Sequence, residues 1–293
     1  MSFGKSILWS LFVTLALLLL VPAVQAQSGW SISSFSLLGG FVCGLGMAIN
    51  GSCAFATLNR LGKGDAEMLV TLAALVTGAT CTTVLSEHFA APSPLPTPAA
   101  FDPSQTWVVL LLLFCGAWGA WKIVRLLRTR SAGASLRSKT YRLSTTALLI
   151  GGTNGFLFSI FGNWSYTATL VRSARGLADG SPWFDGVYWM LFGALLFGMI
   201  VSSWLRHSFR LRLQPRFSWW RNLVGGGLMG AGAAMIPGGN DALLLDGIPN
   251  LSPHAAPAYL AMVLGIATVL ACLQLGGRRI DKVDCSGDIC RST

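Results

Sequence analysis

The sequence predicts an all-α, polytopic integral membrane protein with internal repeats, in which glycine-rich, interrupted helices meet at a central constriction. Three observations lead to this prediction: an apolar composition, basic residues confined to a few connecting segments, and a glycine-rich pattern that occurs three times. Of the 293 residues, 53% are hydrophobic and only 11% are charged, about half the charged share of a soluble domain. The mean hydropathy of +0.60 fits several membrane segments of roughly 20 apolar residues each.

The N-terminal stretch 1–26 has two interpretations that the residues leave open. Lys5, an apolar run from Ile7 to Val21 and small residues ending at Ala26 are typical of a cleaved secretory signal peptide. The same run also suits a retained N-terminal membrane helix. In both cases the chain after Gln27 starts outside the cytoplasm, and 27–277 is expected to form a single transport domain. Candidate membrane segments lie at 35–57, 66–89, 105–121, 143–161, 186–205, 222–236 and 255–276.

The positive charge of the chain predicts membrane orientation rather than nucleic-acid binding. The formal net charge is +10, and sixteen of the 21 basic residues lie in 122–142, 206–221 and 278–293. The segment pattern places all three stretches in the cytoplasm, as basic loops usually are. We expect 278–293 to be a disordered cytoplasmic tail, because Cys285 and Cys290 alone are too few for a structural zinc site.

The first glycine-rich stretch, GGFVCGLGMAINGSCAFATLNRLGKG, predicts an interrupted helix. Gly39, Gly40, Gly44 and Gly46 remove side chains from one side of an apolar helix, which then breaks at 50–52 and presents Cys53. Such a helix is poorly suited to face lipid. It suits a site that is buried among membrane helices.

Related stretches recur near 151–176 and 225–250. A shift of 112 residues places Cys53 opposite Ser165, and a shift of 186 residues places it opposite Gly239. Repeats with interrupted helices are a transporter device, in which the substrate binds where the breaks meet. The predicted crossings make the first and third copies an inverted pair.

The breaks are expected to bind an anion, because helix ends at a break offer free N–H groups and positive partial charge. Amides and hydroxyls can replace the water that an anion sheds, and a thiol matches a sulfur atom. For Asp241, two roles remain open: a proton-coupling group, or a cap for the next short helix. Arg172 and Arg175 recur where Arg60 and Lys63 stand. Two roles remain open for these residues: attracting an anion to the cavity mouth, with Arg60 and Arg172 as the first candidates, or anchoring the helices at the membrane interface. The predicted substrate-binding or pore residues are Asn50, Ser52, Cys53, Asn163, Ser165, Asn240 and Asp241.

The sequence contains no motif that indicates an enzyme. The three histidines are isolated, and the short glycine pattern at 44–46 lies within a membrane segment rather than after a soluble strand. We therefore predict neither a metal site nor a cofactor.

Two blocks resemble the signatures of the YeeE/YedE sulfur-transport family of bacterial inner-membrane proteins. The first is GGFVCGLGMAINGSCAFATLNRLGKGD, with its Gly-x-Cys break, and the second is GGGLMGAGAAMIPGGNDALLLDGIPNLSPHAAPAYLAMVLGIA. The resemblance implies a multi-pass inner-membrane protein that imports thiosulfate or a related sulfur anion. It also implies cysteines that pass the anion along, and cooperation with a small cytoplasmic sulfur-carrier protein.

Cys53 matches the first such cysteine, whereas the second block usually reads Gly-Cys-Asn and here reads Gly238-Gly239-Asn240. The partner thiol is missing, which leaves the exact substrate open. Two other functions are compatible with the sequence. One is a membrane accessory subunit that recruits a sulfur carrier without transport, and the other is a sulfurtransferase that holds a persulfide on Cys53 or a tail cysteine.

Overall fold

The fold is described from a computed structural model of the chain. It describes residues 30–86, 121, 153, 157, 164–182, 184–212, 219–237, 239–248, 252–276, 283–286 and 289–292. The stretch 1–26, the basic run 122–142 and Asn163 lie outside the described residues. The segments predicted at 105–121 and 143–161 also lie outside them, apart from single positions.

The described residues are almost entirely helical, which confirms the predicted all-α fold class. Gly186–Leu205 and Ala255–Leu275 match the segments predicted from hydropathy to within a residue. Labels run in chain order over the described ranges. The helices are α1 (Ser34–Asn50), α2 (Ala54–Gly62), α3 (Glu67–Ser86), α4 (Tyr166–Asp179), α5 (Gly186–Leu205), α6 (Trp219–Met235), α7 (Gly239–Ala242), the π-helical turn Leu243–Gly247, and α8 (Ala255–Leu275).

Four stretches in the described part of the chain are long and apolar enough to cross a membrane. They are Ser34–Gly62, which contains the interruption between α1 and α2, Glu67–Leu85, Gly186–Leu205 and Ala255–Leu275. Their outward faces carry large apolar side chains, as expected for helices in contact with lipid.

Helices α1 and α6 pack antiparallel along their glycine faces. A side chain at Gly39 would collide with Met235, and one at Gly46 would collide with the backbone of Met229. Because the contacts run in opposite directions along the two helices, the end of each lies beside the start of the other. Small residues let helix backbones approach this closely in a membrane.

Two further helices flank this pair, each parallel to its neighbour. Helix α8 packs on α1, with Gly40 against Ala258 and Gly44 against Met262. Helix α3 packs on α6 in the same way, through contacts such as that of Gly230 with Leu75. Helix α1 therefore pairs with α8, the long helix that follows α6 in the chain. Helix α6 pairs with α3, the long helix that follows α1.

One end of the bundle, which we call the basic end, is defined by Arg60, Arg210, Arg212 and Arg221. The segment after α5 pairs there with the turn between α2 and α3, since the N–H of Arg212 donates to the carbonyl of Gly64 at 2.9 Å. The opposite end is defined by Ser36, Met235 and His254.

The C-terminal tail differs from the expected disorder. Val283–Ser286 (β1) and Ile289–Ser292 (β2) pair antiparallel, with Cys285 opposite Cys290 in the register.

Candidate functional site

The chain turns sharply where α1 ends. Gly51 adopts a left-handed conformation (φ 73°), and its N–H donates to the carbonyl of Met47 at 2.9 Å. Glycine tolerates this conformation because it has no Cβ. Cys53 is the N-cap of α2, and its Sγ accepts from the N–H of Ala56 at 3.5 Å. The interruption thus holds a partly buried thiol at a helix N-terminus.

Asn50 and Ser52 stabilise this break through hydrogen bonds between buried side chains. Asn50 Nδ2 donates to Ser52 Oγ at 2.8 Å, and Asn50 Oδ1 accepts from Thr71 Oγ1 at 3.3 Å. Ser52 Oγ also lies 3.1 Å from Thr57 Oγ1. Because these buried groups bond to one another, the break is tied to α2 and α3 and needs no water to satisfy it.

Ser165 occupies the same position in α4 as Cys53 does in α2. It is the N-cap of its helix, and its Oγ accepts from the N–H of Ala168 at 3.0 Å, again three residues further on. The shift of 112 residues that aligned the two positions therefore aligns two N-caps. Ser165 is buried, like Trp164 before it.

The third break joins α6 to α7 and reaches across to α4. Gly239 has a φ of 80°, and the two residues that follow it contact Thr167. Asn240 Oδ1 accepts from Thr167 Oγ1 at 3.3 Å, and Asp241 Oδ2 accepts from the Thr167 N–H at 3.4 Å. The buried carboxylate of Asp241 thus occupies the N-terminal end of α4, where an anion is favoured.

The first residues of α2, α4 and α7 approach one another in the interior. The ring of Phe55, just after Cys53, lies 6.1 Å from the ring of Tyr166. Cys43 and Tyr166 both lie within electrostatic range of Cys53 and Asp241. We call this set of residues the break cluster: Cys43, Cys53, Ser165, Tyr166, Thr167, Asn240 and Asp241.

Arg60 and Arg172, the first candidates for attracting an anion, have other partners. Arg60 Nε lies 3.3 Å from Asp65 Oδ2, in an ion pair that Arg212 shares at 3.9 Å. The guanidinium of Arg172 lies over the ring of Tyr188, 4.5 Å from its centre. Both arrangements compete with an incoming anion for the positive charge.

Sequence reasoning missed three residues of the break cluster. Tyr166 and Thr167 follow the predicted Ser165 directly, and the N-cap signal at Ser165 would have placed them in the first turn of α4. Cys43 lies in an apolar stretch of α1, where a cysteine is usually a small packed residue, and only the folding of the chain brings it near Cys53.

The described residues include no group of three or more histidine, cysteine or acidic side chains that could hold a metal ion. The break cluster offers the partly buried thiol of Cys53, the fully buried thiol of Cys43, hydroxyl and amide groups, one buried carboxyl and the N–H groups of helix ends. This set suits the binding of a desolvated small anion.

A family profile described as sulphur transport matches residues 5–268, which include every element from α1 to α7 and most of α8. No curated protein matches the chain.

Proposed function

The chain belongs to the YeeE/YedE sulphur transport family, and we propose that it imports a small sulfur-containing anion through the break cluster. The family is one of transport proteins, and its profile covers most of the chain. Thiosulfate is the first candidate substrate, since it combines oxygen atoms that accept hydrogen bonds with a polarizable sulfur atom.

The observation that carries this proposal is the position of Cys53. Its thiol caps the start of α2, and the start of α4 comes close to it through the contact of Phe55 with Tyr166. Two helix N-termini provide positive partial charge for an anion, and the thiol is a weak donor that can contact its sulfur.

Asp241 adds a condition to this proposal. Its carboxylate already accepts from the N–H of Thr167, so an anion arriving at α4 meets a negative charge of the protein itself. Two like charges in a buried site repel each other strongly. We therefore propose that the anion enters together with a proton, which neutralises Asp241.

The membrane orientation follows from the basic end. Arg210, Arg212 and Arg221 are proposed to lie in the cytoplasm of a bacterial cell, with the protein as a multi-pass component of the inner membrane. This end is then the surface at which a cytoplasmic sulfur-carrier protein would receive the imported sulfur.

The proposal is tested by flux in proteoliposomes that contain only the purified protein. Radiolabelled thiosulfate, sulfite and sulfide are offered one at a time, with protein-free liposomes as the control. We expect at least one of these anions to accumulate faster than in the control. If none does, the transport proposal is wrong, and capture of a sulfur carrier in a pull-down would then favour an accessory subunit.

A further inference from the structure

Both glycine-rich helices end at a break, and both ends are electrostatically unfavourable for an anion. The last carbonyls of a helix have no partner within it, and they give its C-terminus a negative partial charge of about half an electron. Since α1 and α6 are antiparallel, one such end lies at the basic end and the other at the opposite end. An anion moving between the two ends has to pass both.

An arginine from a neighbouring helix covers each of these ends. Arg221, in the first turn of α6, donates from Nε to the carbonyl of Ile49 at 3.1 Å. Arg175, in α4, donates from Nη2 to the carbonyl of Ala234, also at 3.1 Å. Ile49 and Ala234 are each the penultimate residue of their helix. A hydrogen bond from an arginine to the penultimate carbonyl of a glycine-rich helix therefore occurs twice, with residues from different parts of the chain.

Each contact leaves most of the guanidinium available. An arginine has five N–H donors, and both residues are exposed by surface area, although surrounding protein atoms partly desolvate the guanidinium of Arg175. Among the residues that the structure describes, neither has a carboxylate within ion-pair distance, although Asp179 lies within electrostatic range of Arg175. Arg60 and Arg172, by contrast, are held by Asp65 and by the ring of Tyr188.

Arg221 lies directly beside the first break. A Cβ added to Gly51 would be 3.5 Å from Arg221 Nη2, so the guanidinium lies beside the turn that leads to Cys53. Gly51 itself is exposed, which leaves this turn open to an arriving ion.

We propose that Arg221 and Arg175 are the two anion-attracting residues of the transport route, one for each end of the α1–α6 pair. Each cancels the negative end of an interrupted helix and presents further N–H donors to an anion on its way to the break cluster. This inference rests on the proposed function. Of the arginines that the sequence suggested for this role, it retains Arg175 and replaces Arg60 and Arg172, and it adds Arg221, which the sequence did not suggest.

The test measures anion uptake into proteoliposomes with Arg221→Gln, Arg175→Gln and Arg172→Gln. The probe is radiolabelled thiosulfate, or whichever of sulfite and sulfide the wild-type protein carries. Arg172 is the matched control, because it lies one turn from Arg175 on α4 and contacts a ring instead of a helix end. We expect the first two variants to raise the half-saturating concentration about tenfold with little change in maximal rate, and Arg172→Gln to leave it unchanged.

Arg221→Lys and Arg175→Lys separate charge from helix capping. They keep the positive charge, so we expect most of the affinity to return even where the melting temperature is lowered. Added salt should weaken uptake by the wild type and the lysine variants more than by the glutamine variants.

Two outcomes would overturn the inference. If the wild type carries an anion and both glutamine variants match Arg172→Gln in half-saturation and salt dependence, the arginines only cap their helices. If the wild type carries none of the three anions, the proposed function fails first, and this inference fails with it.

Discussion

Gly239 stands where the resemblance to the family leads one to expect a cysteine, and its surroundings explain the difference. Its φ of 80° is unfavourable for any side chain, and a Cβ would lie 2.6 Å from the Cγ2 methyl of Thr167. The contact with Thr167 that positions Asn240 and Asp241 thus uses the space of the missing thiol.

Gly239→Cys should therefore not create a second relay thiol but should destabilise the protein, by about 1–3 kcal/mol for the strained backbone alone. Thr167→Ser in the same chain removes the methyl and should recover part of the loss. The measurement is the melting temperature in detergent. Gly180→Cys is the control, because Gly180 has a similar φ of 67° but no atom within 4 Å of the added Cβ. If Gly239→Cys and Gly180→Cys lower the melting temperature equally, the added side chain at Gly239 is not crowded by Thr167.

Asp241 gives the proposed transport a pH dependence with a definite sign. Protonation removes the negative charge that competes with the anion, so uptake should rise as the pH falls from 8 to 6.5. Asp241→Asn keeps the shape and the acceptor for the Thr167 N–H, and should make uptake nearly independent of pH over this range. Initial rates of uptake at fixed anion concentration test this. If the uptake rate of Asp241→Asn depends on pH as steeply as that of the wild type, the proton coupling is refuted.

His254 is the control for that experiment. Burial lowers the pKa of this imidazole, so its charged form is disfavoured as the pH falls. Its Nδ1 lies 2.9 Å from Ser252 Oγ, a contact that an asparagine can also make. His254→Asn should therefore retain the pH dependence of the wild type.

At the scale of elements, backbone-to-backbone packing of the glycine faces sets the positions of the breaks that follow α1 and α6. The approach of α3 to α6 is so close that a Cβ at Gly230 would overlap the carbonyl of Leu75. The three-helix arrangement of α1, α6 and α3 leaves these contacts no room to adjust, since backbone atoms lie on both sides.

Gly230→Ala should consequently lower the melting temperature by several degrees and reduce the yield of folded protein. Gly193→Ala is the matched control in α5, where the structure has no atom within 4 Å of the added methyl. There, alanine should leave stability unchanged or raise it, because it favours a helix by about 1 kcal/mol over glycine. Similar melting temperatures for the two variants would show that the glycine face does not hold the helices together.

The sequence was informative about elements and less so about their contacts. Hydropathy located α5 and α8 to within a residue, and the repeat shift aligned the N-caps Cys53 and Ser165, because both signals are local. The contact of Thr167 with Asp241 joins residues 74 positions apart, and it depends on how α4 packs beside α6. The partners of Arg60 and Arg172 depend on neighbouring segments in the same way, so no local pattern could identify them.

At the scale of the whole molecule, each end of the antiparallel α1–α6 pair has the C-terminus of a glycine-rich helix with an arginine bonded to it. The centre of the molecule, by contrast, is asymmetric. The first break contributes the thiol of Cys53, and the third contributes Gly239 with Asn240 and Asp241. Cys53 is the partly exposed thiol of the break cluster, whereas Cys43 is fully buried. One such thiol beside a carboxyl favours a site in which the thiol contacts the sulfur atom of the anion and the carboxyl controls the charge.

The most direct test of the account is the effect of Cys53 on uptake of the anion that the wild type carries into proteoliposomes. Cys53→Ala removes the thiol, whereas Cys81→Ala alters an exposed cysteine of α3 and serves as the control. The account predicts that Cys53→Ala abolishes uptake while the folded protein and its melting temperature persist, and that Cys81→Ala carries the anion at the wild-type rate. Uptake at the wild-type rate by Cys53→Ala would contradict the central claim.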